Sequence, residues 1–343
     1  MQQVAITVVI CNYNYERFLA DALDSVFAQT IQAIQIIVVD DGSTDSSRDI
    51  IERYRARQIE VIYKENGGQI SAYNAAMPLI KGDFVIFLDS DDRLLPTAAE
   101  EVIKAFTADP RVVKVHYRLE MIDADGKRIG SAIPTKLADG DVSWILLKQG
   151  CLYNSAPGSG NAYKTSVLKE RLAPLPADEH DRHGADFFAV HAMGLIGHIA
   201  TANQGKPLAE YRVHRVADQS TLGFGNAAKL LSESDRLKKR YTRFQNWIHE
   251  RWGADFDLPT QVTDFSIEKQ KFAADIFNSA SYFKGLAAGL SNMPTLTRSI
   301  VLRPSSMALK AALLAWAFAV LALPRSAGIH LARYVCNPAS RNQ

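Results

Sequence analysis

Short apolar runs alternate with amphipathic stretches along the first third of the chain. Ile6 to Ile10 is a continuous, largely β-branched run and reads as a buried strand. Arg17 to Gln29 follows with Phe18, Leu19, Ala22, Leu23, Val26 and Phe27 at helical spacing. Ile34 to Val39 is a second strand. Ser43, Thr44 and Asp45 are candidate N-caps for a helix holding Ile50, Ile51 and Tyr54. Glu60 to Tyr63 reads as a short third strand, Gly67 and Gly68 open another helix, and Phe84 to Leu88 is a fourth strand. Pro96 suits the first position of a helix ending near Asp109-Pro110. This order predicts an α/β fold with a mostly parallel sheet and helices on both faces.

From about 126 to 220 the pattern is less regular, with helices expected near Val142 to Lys148 and Asp186 to Leu195. From about 225 onward the chain reads as a helical C-terminal extension. Three regions follow: 1–125, 126–220 and 221–343. Met307 to Leu323 is almost wholly apolar, broken by Lys310 and stopped by Pro324, with Arg303, Arg325 and Arg333 around it. Its length falls a little short of a bilayer core. It reads equally as a packed helix or as an interfacial contact with a membrane.

A chain of 343 residues has room for one large or two modest domains. Its net charge of +2 gives no reason to expect a nucleic-acid partner. Cys11, Cys151 and Cys336 are scattered and odd in number, which suits neither a disulfide framework nor a CxxC metal site. The N-terminus lacks a basic segment and a small-residue cleavage site. The expected location is therefore cytoplasmic, with the inner face of the membrane as a peripheral seat.

Acidic residues sit where strands end. The second strand runs into Asp40-Asp41-Gly42-Ser43, and the fourth into Asp89-Ser90-Asp91-Asp92. Ligands of open parallel sheets bind at the carboxyl ends of strands. Two acidic clusters at one edge repel each other unless a cation or hydrogen-bond donors hold them. Mg²⁺ or Mn²⁺, which leaves room for substrate phosphates, answers that need. Taken singly, each cluster could equally be turn and N-cap residues.

Four segments, in order, resemble the family-2 glycosyltransferases of GT-A fold. Thr7 to Asn14 is similar to the opening strand and loop, Val38 to Asp45 to the nucleotide-binding motif, and Phe87 to Asp92 to the DXD motif. Asn66-Gly67-Gly68 through Ala72, Asn74 and Ala75 resembles the helix before the DXD strand. The resemblance covers roughly the first third of the chain and implies a Rossmann-related, GT-A-like sheet. It also implies a nucleotide-sugar donor, with a UDP-sugar favoured, and a metal-assisted transfer with inversion. The acceptor would be a hydroxyl of a glycan or lipid-linked molecule, in cell-surface polysaccharide or glycoconjugate synthesis. Tyr13 would stack on the base, with a packed aromatic as the plainer role, and Asn14 would lie beside the donor. Asp41, or failing it Asp40, would meet the base edge. Asp89 would approach the ribose, next to Ser90. Asp91 would bind the metal, with Asp89 and His214 as the other candidate ligands. Gly68 would let backbone approach the donor. Asn74 is either a donor contact or a helix-face residue.

The base is expected in the second region. Ala185-Asp186-Phe187-Phe188 looks like the family's acidic pair at a helix start, with alanine in place of the first acid, and Asp186 is the candidate. Glu179 and Asp181 are fallbacks. A zinc site of His180 and His183 has no further ligand pair in view. Pro157 to Tyr163 resembles a Gly-Asn turn that shapes the acceptor site, which makes Gly160 and Asn161 the acceptor candidates. Tyr211-Arg212-Val213-His214, followed by Gln219-Ser220, resembles a late motif whose histidine meets metal or diphosphate. Gly158 to Thr165 is not a P-loop, and no GxGxxG follows the first strand. A nucleotidyltransferase would show a Gly-rich loop where Cys11-Asn12-Tyr13-Asn14 stands. Ala185 keeps open a rival from another class, a protein that binds nucleotide-sugars without transferring them.

Overall fold

The computed structural model describes residues 4–130, 132–178, 184–214, 230–303 and 305–336. Glu179, His180, Asp181, His183, Gln219 and Ser220 lie outside them. The chain divides into two compact units, residues 1–143 with 153–215, and residues 144–152 with 216–343.

In the first unit, strands and helices alternate: β1 (Ile6–Asn12), α1 (Glu16–Phe27), β2 (Gln35–Asp40), α2 (Ser47–Tyr54), β3 (Glu60–Tyr63), α3 (Gln69–Ala76), β4 (Phe84–Asp89), β5 (Arg93–Leu94) and α4 (Ala98–Ala108). β6 (Val112–His116) and β7 (Arg118–Ile122) follow. A seven-stranded sheet runs β3-β2-β1-β4-β8-β6-β9, with β8 (Asn161–Lys164) and β9 (His198–Thr201). All its pairings are parallel except those of β8, which is antiparallel to both neighbours. A smaller sheet joins β5, β10 (Pro207–Arg212) and β7.

The residues explain the layers. Successive strand side chains point to opposite faces. Val8 and Ile10 of β1, Val38 of β2 and Ile86 and Leu88 of β4 share one core with Leu19 and Val26 of α1, Ile51 of α2 and Val102 of α4. Phe87 points the other way and stacks on Tyr73 of α3, with centroids 3.8 Å apart. Both faces of the central strands are thus covered, so they read as continuous apolar runs.

Two expectations change. The boundary expected at 125/126 falls inside one unit, because β8 inserts between β4 and β6 and closes the sheet with strands from the second region. α2 starts at Ser47, beyond the expected caps. Ser43 instead accepts from Asn12 and Asn14, while Asp45 accepts from the Ser47 amide.

The second unit takes α5 (Ser143–Gln149) from Trp144 onward, and then helices. After α6 (Thr165–Val167) and α7 (Ala185–Ile196) of the first unit come α8 (Leu230–Trp252), α9 (Phe265–Phe277), α10 (Tyr282–Leu302), α11 (Met307–Ala322) and α12 (Arg325–Cys336). Phe272, Phe277, Leu296, Ile300, Leu313, Trp316 and Val320 form its core. Among the described residues, no helix is long and apolar enough to cross a membrane.

Phe87 is fully buried between β4 and α3. Phe87→Ala is expected to lower unfolding stability by about 3–5 kcal/mol. Urea denaturation measures it, and a loss below about 1 kcal/mol would show that the aromatic stack does not hold α3 to the sheet.

Candidate functional site

The registers of β1, β2 and β4 bring their carboxyl ends level: Asn12 pairs with Asp40, and Cys11 with both Val39 and Asp89. Each chain leaves the sheet there into a polar loop. The loops are tied to one another before any ligand is considered. Asn14, at φ 57°, accepts from the Thr44 amide and donates its own amide to Ser43 Oγ. Asp41 accepts from the amides of Gly67 (3.0 Å) and Gly68 (2.7 Å) and pairs with Lys64. Gly68 carries φ 82° at the start of α3, a conformation that side chains with a Cβ rarely adopt.

The second acidic cluster is held from three sides. Asp92 is buried and accepts from Ser159 Oγ at 2.6 Å and from the Arg212 amide at 2.9 Å. The Asp89 amide donates to the same Ser159 oxygen. Gly158 runs so close that a Cβ there would stand 2.8 Å from Asp89 Oδ2. The Arg212 guanidinium, 1% exposed, donates to the carbonyls of Asp91, Asp123 and Ala124 and reaches Asp21. Asp91 accepts from His214 Nε2 at 2.7 Å. His214 also rests against the rings of Tyr15 and Phe18. An open cleft of about 490 Å³ lies there, lined by Asn14, Tyr15, Arg17, Phe18, Thr44 and His214.

Gln69 joins this cluster to the helix that carries Asp186. Its amide nitrogen donates to Asp89 Oδ1 at 3.0 Å, and its oxygen accepts from the Gly184 and Ala185 amides. Asp186 sits in the first turn of α7, half-buried, where its Oδ1 accepts from the Phe187 amide. Burial, then the charges of Asp91 and Asp186, push the Asp89 carboxyl up to about 7. Burial, then the charges of Asp91 and Asp89, raise Asp92 well above the carboxylate range. Tyr15 is raised to about 12, first by burial and then by Asp91.

The structure thus gathers Asp41, Asp89, Asp91, His214 and Asp186 at one edge, with Asn14 beside them and Tyr13 about half exposed in the same loop. Others take different work. Asp40 has no exposed surface and is engaged by Asn12 and Arg48, so it cannot meet a base edge. Asn74 clamps the backbone of Leu175 with both ends of its amide. Asn161 is buried, donating to the carbonyls of Ala156, Pro157 and Gly158. Gly160 is packed against Tyr117 and Leu119. Both shape the turn that presents Ser159 and expose nothing to an acceptor. Ser90 is buried as well. Gln69, Ser159, Lys64 and Arg212 went unread as functional. Arg212, Ser159 and Gln69 stand inside segments that resemble the family, but nothing local marks them as its working residues, and Lys64 lies outside every such segment.

Among the described residues, no three His, Cys, Asp or Glu side chains gather to hold a metal ion. Mg²⁺ or Mn²⁺ commonly takes only one or two protein carboxylates, the rest of its shell coming from phosphate and water. Asp91 and His214, already paired beside the crowded Asp89, fit that pattern.

Residues 7–148 match the family described as glycosyl transferase family 2. An uncharacterized glycosyltransferase of Nostoc sp. is 38% identical over 215 residues, which is 61% of this chain and 65% of that one. Chondroitin synthase of Pasteurella multocida is 31% identical over 128 residues, 37% of this chain and 13% of that protein. The chain spans less than two thirds of the length of either relative. Among solved structures, S. aureus TarS 1-349 in complex with UDP matches with a TM-score of 0.53 at 17% identity, covering 99% of this chain and 92% of that one. The same protein in complex with UDP-GlcNAc matches equally. These likenesses show a shared GT-A-type α/β fold.

Between about pH 4 and pH 7, Asp89 is protonated in the folded chain and ionised in the unfolded one. Its stabilising contribution is complete below about pH 4 and is lost as pH rises through about 7. In metal-free buffer, wild type should lose more stability than Asp89→Asn between about pH 5 and pH 8. Parallel melting-temperature profiles would contradict this assignment.

Proposed function

Residues 7–148 are a glycosyl transferase family 2 domain, and on that premise we propose that the chain transfers a sugar, with inversion, from a nucleoside-diphosphate donor to an acceptor hydroxyl. One observation carries the reading: Asp41, Asp89 and Asp91 meet at the carboxyl edge of the sheet, and Gln69 ties that edge to the helix start bearing Asp186. Ligands of open α/β sheets bind at such edges. The TarS complexes with UDP and UDP-GlcNAc support a uridine donor.

In this reading the base lies in the Tyr13 loop near Asp41, and the ribose near Asp89. Asp41 must exchange its bonds to Gly67, Gly68 and Lys64 for the base edge, or act by holding those amides in place. Asp186 takes the proton of the acceptor hydroxyl while its oxygen attacks the anomeric carbon. The bond to the diphosphate oxygen breaks on the opposite face, through a transition state of oxocarbenium character. A bound Mg²⁺ or Mn²⁺ would supply positive charge to the departing diphosphate, with Asp91, His214 and Asp89 as the residues to hold it. The acceptor is a glycan or lipid-linked hydroxyl in surface polysaccharide or glycoconjugate synthesis. The chain works in the cytoplasm, seated peripherally on the inner face of the membrane.

Asp186→Asn should cut turnover by about 10²–10⁴ while donor binding stays within about twofold. Calorimetry and nucleotide release from a sugar-nucleotide panel measure the two. Wild type that binds donor but never transfers, even with acceptor supplied, would leave a binding protein instead. Asp91→Ala, or EDTA with wild type, should abolish donor hydrolysis. Undiminished hydrolysis in both would remove the metal from the reaction.

Gln69→Leu keeps the size of the side chain but removes its three side-chain hydrogen bonds. Turnover should fall about tenfold with the melting temperature nearly unchanged. Unchanged turnover would show that the link between Asp89 and α7 does not position Asp186.

A further inference from the structure

α11 is apolar on nearly all sides. One side is spent inside its own unit, where Leu313, Trp316, Ala317 and Val320 pack against Phe272, Leu296 and Ile300. The other side stays uncovered: Met307 is 78% and Phe318 62% exposed, with Ala311, Ala315 and Ala322 open between and beyond them. A helix that is apolar all round is normally enclosed by protein or lipid. α10 repeats the pattern, with Phe283 (79%), Leu290 (57%) and Val301 (50%) exposed along one helical stripe.

The two helices form an antiparallel hairpin. Tyr282 and Leu286 at the start of α10 share a small groove with Leu321 and Leu323 at the end of α11. Gly289 permits the close approach, since a Cβ there would stand 2.7 Å from Leu321. Each helix therefore leaves apolar side chains exposed, with no charged residue between Lys284 and Arg298 or between Lys310 and Arg325. Cations mark both ends: Lys284 and Arg325 at one, Arg298, Arg303 and Lys310 at the other. From residue 276 to 343 the sequence has seven Lys or Arg and no Asp or Glu. A chain with a net charge of only +2 thus concentrates its positive charge here.

We propose that the α10–α11 hairpin is a docking surface for an anionic lipid bilayer. Its exposed Phe283, Leu290, Met307 and Phe318 would enter the headgroup boundary while the cations at its ends meet lipid phosphates. Shallow insertion of apolar side chains combined with attraction to anionic headgroups is how interfacial helices bind. A second copy is the poorer occupant. A two-fold contact sets each patch against itself, and this segment has no acid to pair with its cations. The proposal gives the peripheral seat its surface and lipid class, and rests on that part of the reading above. Lipid binding is measured without turnover, so its failure would leave the transfer reaction standing.

The test is flotation of the full chain with vesicles of phosphatidylcholine alone, and of phosphatidylcholine with phosphatidylglycerol. Wild type should float with the anionic vesicles, be released by high salt and stay behind with the neutral ones. Phe283→Ser with Phe318→Ser should weaken binding at least about tenfold, with an unchanged circular dichroism spectrum. Lys284→Gln, a milder change at an exposed site, should weaken it about fivefold. Three results would overturn the proposal: no flotation of folded wild type, variants that float like wild type, or flotation that ignores lipid charge. A concentration-dependent dimer, abolished by the phenylalanine variant and unaffected by vesicles, would assign the surface to a second copy instead.

Discussion

Negative charge placed beside negative charge at one edge of a sheet is the constraint from which the rest of the site follows. Asp89, Asp91 and Asp92 leave β4 within four residues, and Asp186 approaches from α7. Such a cluster costs stability wherever its charges are unmet. The chain meets them with the Arg212 backbone amide and Ser159 on Asp92, His214 on Asp91 and Gln69 on Asp89. The remaining deficit shows in the raised carboxyl of Asp89. A site whose charges were all neutralised from within would have little attraction left for a cation or a cationic transition state.

The same contacts position the working groups. Arg212 is buried where β10 ends, and through the carbonyls of Asp91, Asp123 and Ala124 it binds the small sheet to the acidic loop. His214, two residues on, is thereby delivered to Asp91. Gln69 does the corresponding work between α3 and α7. The amides preceding it bind Asp41, and its side chain binds Asp89 and the start of α7. One helix start thus touches the nucleotide side, the sugar side and the base-bearing helix of the proposed reaction. These bonds are short-range and directional, so a small displacement in α3 would be felt at all three.

The helical unit faces a different constraint. Its core is satisfied by one side of α11, and the apolar residues on the other side have no structural work in the described chain. Their persistence beside a segment empty of acids is what gives the lipid surface its physical sense.

Local pattern alone determined much of this protein. Runs such as Ile34 to Val39 and Phe84 to Leu88, and the stripe from Phe18 to Phe27, declare strands and a helix because their periodicity is a property of neighbouring residues. The acids that follow two strands were legible for the same reason, since strand ends fix their place on the sheet. Tertiary structure decided which acids face outward. Asp40 and Asp41 are adjacent, but Asn12 and Arg48 enclose one, while the other meets the amides before α3. Asn74 likewise turned to the backbone of Leu175, 101 residues away, and Asn161 turned inward to the carbonyls of its own turn. Gln69 became a link only because Asp89 and Gly184, 20 and 115 residues away, arrive at its two ends. A residue's type limits the bonds it can make, but the partners that long-range packing brings to it decide which bonds form.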